Sequence, residues 1–158
     1  MSEPTTTPPL RARPETRLRL GLLLAGLGLL VQTLGLRPDW IGLARTETVG
    51  LVQLLVFISG LGLVVFGSYL HITARWNGRS PLPFWADVGL RLGFTGYVLT
   101  AIAALADILG FGSHPNPTEA YFGPWQVAGI LVGELIMLAG FLLAWPRGRT
   151  PAPTEASP

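Results

Sequence analysis

Polar residues in this chain gather in clusters, and between the clusters lie four long runs almost without charge. Leu20 to Leu36 carries none, and Gln32 and Thr33 are its only strongly polar side chains. Val49 to Leu70 is likewise uncharged. Val88 to Leu109 is interrupted by Arg91 and closed by Asp107, while Pro124 to Trp145 holds a single charge, Glu134. A helix rises about 1.5 Å per residue, so about 20 residues cross a hydrocarbon core of about 30 Å. The second and fourth runs reach that length comfortably, the first is at the short end, and the third must accommodate Arg91. The pattern predicts an all-α fold: an integral-membrane four-helix transmembrane bundle over residues 18–146, with spans at about 20–36, 49–72, 85–109 and 124–145. Residues 1–17 and 147–158 are rich in Pro, Thr and Ser and read as disordered tails, too polar to offset their ordering entropy.

The residues between the runs agree with these limits. Gly35 followed by Arg37-Pro38 is a helix stop, with a cation at the negative end of the dipole. Thr46 or Thr48 can cap the second helix, with Glu47 beside its start, and Asn77-Gly78 can end it. Ser80-Pro81 reads as the start of the third helix, with Asp87 near its positive end. Gly123-Pro124 starts the fourth and Pro146 terminates it.

Composition strengthens the membrane reading. Charged residues make up 13% of the chain, against about 25% in soluble proteins of similar apolar content. The mean hydropathy is +0.48. Packed as a soluble domain, four such helices would leave too little polar surface to cover them. The five Trp, at 40, 76, 85, 125 and 145, all fall at expected span ends, where an apolar ring with a polar N–H is best accommodated. Arginine distribution sets the expected orientation. Arg11, Arg13, Arg17, Arg19, Arg75, Arg79, Arg147 and Arg149 would share one side, leaving only Arg37 and Arg45 in the loops opposite. The positive-inside rule then places both termini in the cytoplasm of a multi-pass cell-membrane protein. A cleaved signal peptide fits the first span poorly, because no small-x-small site follows it.

Other classes are excluded by what is missing. With no cysteine, disulfide scaffolds, thiol redox chemistry and Cys-ligated zinc or iron–sulfur clusters are ruled out. The net charge is only +2 and the basic residues are dispersed, so no nucleic-acid surface is expected. His71 and His114 fall at opposite ends of the bundle and cannot pair on a haem. Asp107, His114 and Glu119 lie within a short Pro-containing segment, but their spacing matches no metal motif, and neither metal nor cofactor is assigned. The Gly-Leu-Gly-Leu strings at Gly26–Leu29 and Gly60–Leu63 lie inside apolar runs and read as helix packing, not nucleotide binding.

Small residues mark the expected packing faces. Gly89, Gly93, Gly96, Thr100, Ala103 and Asp107 share one side of the third helix, and Gly129, Gly133 and Gly140 recur on the fourth. Small side chains let helix backbones approach closely in lipid. A tight hairpin of spans three and four is the natural inference, although the same faces would suit a partner subunit.

Charges inside spans are where chemistry would sit. At the bilayer centre each costs at least about 2.5–3.5 kcal/mol on insertion scales, so it normally faces protein or water. Glu134 falls near the midplane and Arg91 about 9 Å inside Trp85. With Asp107 near the rim, they form the candidate intramembrane polar site. Arg91 could tune the proton affinity of Glu134, or pair with it, but the two differ in depth by roughly 7–8 Å and lean in opposite directions. Arg91 snorkelling to the headgroups is the competing arrangement. No catalytic constellation emerges. The expected role is a small non-catalytic accessory or interaction subunit of a larger membrane complex, in contact with the lipid bilayer and with a membrane-protein partner or a second copy. The alternative is a small proton-coupled carrier or channel subunit using Glu134.

Overall fold

The computed structural model describes residues 14–42, 50–76, 81–110 and 123–147. Four α-helices follow one another along the chain: α1 (Pro14–Leu36), α2 (Leu51–Arg75), α3 (Phe84–Ala104) and α4 (Pro124–Ala144), with a short 3₁₀ turn at Pro38–Ile41. The described residues contain no strand. Three of the helices, α1, α2 and α4, are long and apolar enough to span a membrane.

Local chemistry sets the helix ends. α1 starts six residues before the apolar run at Leu20, because Pro14 suits a first helical position and Glu15 lies near the positive end of the dipole. α3 starts at Phe84, with Pro83 in the extended N-cap conformation, and stops at Ala104. Residues 105–110 continue as turns up to Gly110, whose φ of 85° suits glycine. The last residues of the expected third span are therefore not α-helical. At α4, Pro124 follows Gly123, whose N–H donates to Gln126 Oε1 at 2.9 Å. At its other end Trp145 is already extended, as the residue before Pro146 should be. The expected caps Thr46, Thr48, Asn77 and Ser80 lie outside the described residues.

The helices form two antiparallel hairpins, α1 with α2 and α3 with α4, each closed by a glycine seam. In α1 the only buried residues are Gly21, Gly28 and Gly35, spaced by seven. A Cβ at Gly21 would lie 2.7 Å from the Gly67 carbonyl oxygen of α2, and one at Gly28 would lie 2.7 Å from that of Gly60. The second hairpin repeats the device: a Cβ at Gly89 would stand 2.5 Å from the Gly140 oxygen, and one at Gly96 2.5 Å from that of Gly133. Backbones this close exclude any side chain and gain dispersion contact along their length.

Large side chains join the two hairpins instead. Three clusters stack along the axis, each with α2 against the second hairpin. They are built on Leu54, Phe57 and Ala104, on Leu61, Val65 and Met137, and on Ile72, Leu90 and Ala144. Outside, large apolar residues point away from the protein, among them Leu23 at 71% and Val52 at 74% exposure. So broad an apolar exterior suits lipid, not water.

Candidate functional site

The mid-helix acid has a partner. Glu134 sits at the centre of α4, half-buried, and its Oε1 accepts a hydrogen bond of 2.8 Å from Gln32 Nε2 of α1. The bond joins the two hairpins through helices that belong to different ones. Gln32 stands out in the sequence only as a polar residue in an apolar run. The available signal was its position, well inside a span like Glu134, and that alone does not identify a partner 102 positions away.

Arg91 lies elsewhere. Its Nη2 is 2.8 Å from Asp87 Oδ2, one turn earlier on the same helix, and it makes no ion pair with Glu134 among the described residues. An acid four residues before a base is the favourable order for such a pair on a helix. Both side chains stay largely exposed near the N-terminal end of α3. Asp107 occupies the other end of α3, in the turn that follows it. It is 2% exposed, and neither carboxylate oxygen has a hydrogen-bond partner among the described residues. Glu134, Arg91 and Asp107 thus occupy three separate places. His114 and Glu119 lie outside the described residues, and no group of metal-ligating side chains occurs among those described.

The expected packing glycines sit in the α3–α4 seam. Gly89 and Gly96 face α4 backbone, Gly93 faces the Phe141 ring, Gly129 faces the Ala103 methyl, and Gly133 faces Thr100. Thr100 is fully buried and donates to the Gly96 carbonyl at 3.0 Å, so its hydroxyl is satisfied within its own helix.

The tryptophans divide between the two ends of the molecule. Trp40 follows α1 and Trp125 starts α4, at one end. Trp76, Trp85 and Trp145 collect at the other. There Trp76 Nε1 donates to the Ala144 carbonyl at 3.1 Å, tying the end of α2 to that of α4. His71 stacks on Trp145 with ring centres 5.7 Å apart, and the Arg75 guanidinium lies 4.7 Å from the centre of the same indole. His71 Nδ1 is 3.1 Å from the Leu18 carbonyl, which can only accept, so this nitrogen carries the proton.

Between these two polar clusters runs a groove of about 410 Å³, bounded by α1, α2 and α4. Its walls are almost wholly apolar, with His71 and Ser68 as the exceptions toward the tryptophan-rich end. Gln32 and Glu134 each lie one helical turn beyond a residue of its lining, Leu29 and Leu138. No family model matches the chain, and neither a curated protein nor a solved structure is significantly similar to it.

Proposed function

We propose that the chain is a multi-pass cell-membrane protein, a bundle crossing four times with both termini in the cytoplasm. In this reading it serves as a non-catalytic accessory or interaction subunit of a larger membrane complex. The observation that carries it is the engagement of the mid-helix acid: Glu134 is held by Gln32 as a tie between hairpins. The Asp87–Arg91 ion pair near the start of α3 is internal to one helix. Glu134 and Arg91 are thus each engaged by a side chain of the fold itself. Four crossings are supported by the length of α3, 21 residues, and by its pairing along α4. Extraction in a mild detergent should yield the chain with a stoichiometric membrane partner. A lone, monodisperse species would overturn the accessory role.

A second reading, a proton-coupled carrier or channel subunit, is favoured by one observation: Glu134 is only half-buried, within one helical turn of the groove residues Met137 and Leu138. Glu134→Gln separates the two. The amide can still accept from Gln32, so a structural tie survives with unchanged expression and partner retention. Loss of proton-coupled flux in liposomes, with folding intact, would establish the carrier instead.

A further inference from the structure

We propose that the groove between α1, α2 and α4 is a binding site for one anionic phospholipid, its acyl chain inside and its headgroup at the His71–Trp145 end. The proposal rests on the membrane location of these helices but not on the accessory role. Five features support it.

The volume, about 410 Å³, lies within the range of roughly 300–1,000 Å³ typical of small-molecule sites. The walls suit a hydrocarbon: Leu29, Val64, Met137, Leu138 and Phe141 offer nothing for water to bond, and apolar cavities stay dry unless an apolar guest fills them. The length also fits. On each of the three helices the lining covers eight residue steps, as from Met137 to Trp145 on α4, about 12 Å, which accommodates a good part of an extended acyl chain. Leu22 and Leu142, on the lips of the groove, are both exposed, so a chain can enter sideways from the bilayer.

Charge complementarity selects the headgroup. The same end of the molecule carries Arg17 and Arg19 from the start of α1, Arg75 from the end of α2 and Arg147 just beyond α4. Among the described residues the acids at that end are Glu15 and Asp87, and Asp87 is held by Arg91. The balance is positive at the depth of a lipid phosphate, with the α1 N-terminus adding its dipole. Arg75 is fixed against the Trp145 ring that lines the groove, which holds one cation at the mouth.

The test uses the full chain, delipidated in maltoside detergent and titrated with phosphatidylglycerol or phosphatidylcholine of identical acyl chains, with bound lipids counted by native mass spectrometry. One phosphatidylglycerol should bind at least about tenfold more tightly than phosphatidylcholine. Arg75→Gln and Arg147→Gln should each weaken phosphatidylglycerol binding about fivefold and leave phosphatidylcholine unchanged, the loss expected for one arginine near a charged surface. Ser68→Phe fills the groove and should abolish the one-to-one species for both lipids. If that variant does not fold by circular dichroism, Leu138→Trp supplies the block from the lipid-facing wall. Equal binding of the two lipids, unchanged phosphatidylglycerol binding in a folded groove-filled variant, or a lipid-free dimer occupying the groove would each overturn the proposal. None of these outcomes bears on whether a protein partner co-purifies.

Discussion

The glycine seam of the first hairpin makes an unusually clean prediction, because α1 contains two glycines only two positions apart in opposite settings. A methyl group on Gly28 would lie 2.5 Å from the Val64 nitrogen and 2.7 Å from the Gly60 oxygen. Both are backbone atoms, so no side chain can rotate away. Restoring ordinary contact distances of about 3.5 Å requires the helices to part by roughly 1 Å, and a gap of that size forfeits about a quarter to a half of the dispersion well at each neighbouring contact. α1 has little else to hold it to α2, since its only buried residues are the three seam glycines. Overpacking of this kind typically costs about 1–3 kcal/mol. Replacing glycine by alanine in a helix gains about 1 kcal/mol, so Gly28→Ala should be destabilising by up to about 2 kcal/mol net. At Gly26 a methyl group would meet nothing within 4 Å. Only the helix-propensity gain remains, and Gly26→Ala should be neutral or stabilising.

Reversible unfolding in mixed dodecyl sulfate–maltoside micelles, followed by far-ultraviolet circular dichroism, reads both variants on one scale. Gly28→Ala should lower the midpoint, and Gly26→Ala should leave it unchanged or raise it. Equal shifts, in either direction, would refute a seam built on backbone proximity.

Two further outcomes test contacts outside the seams. Trp76→Phe keeps the ring's apolar bulk but removes the donor to the Ala144 carbonyl, and it should lower stability by about 1 kcal/mol in the same unfolding assay. Asp87→Asn leaves Arg91 without its counter-charge, so membrane insertion of α3, scored by glycosylation mapping, should fall about twofold. Insertion should recover when Arg91→Leu is added.

The helices were legible in the sequence because apolar length and glycine or proline punctuation are local signals. Gly123-Pro124 and the Trp145-Pro146 stop fall where the chain chemistry places them. Local reading did less well at α3, whose expected end at Leu109 overshoots Ala104. Leu105 to Leu109 are apolar enough to continue the helix, but the chain turns through them toward Gly110. The partners of the polar residues were harder still to read. Arg91 and Asp87 are four apart, so their pairing follows from helical geometry alone. Gln32 and Glu134 meet only because α1 and α4 border the same groove, and that depends on how the two hairpins dock. The groove is a product of the same docking and leaves no trace in hydropathy.

That docking follows from a division between two kinds of interface. Within each hairpin, glycines bring backbones into contact, and the fit is steep: one methyl group spoils it. Between hairpins, Phe57, Leu61, Met137 and Leu90 keep the backbones apart, and side chains of that size can repack at modest cost. Such an interface specifies position less sharply than a glycine seam, and in lipid no hydrophobic drive compensates. A hydrogen bond with defined length and direction restores that precision. Gln32–Glu134 supplies it for α1 and α4, and Trp76–Ala144 does the same for the ends of α2 and α4. With α4 fixed to α1 at mid-height and to α2 at one end, sliding of the three helices is restrained, and an apolar groove persists between them because no side chain among the described residues fills it.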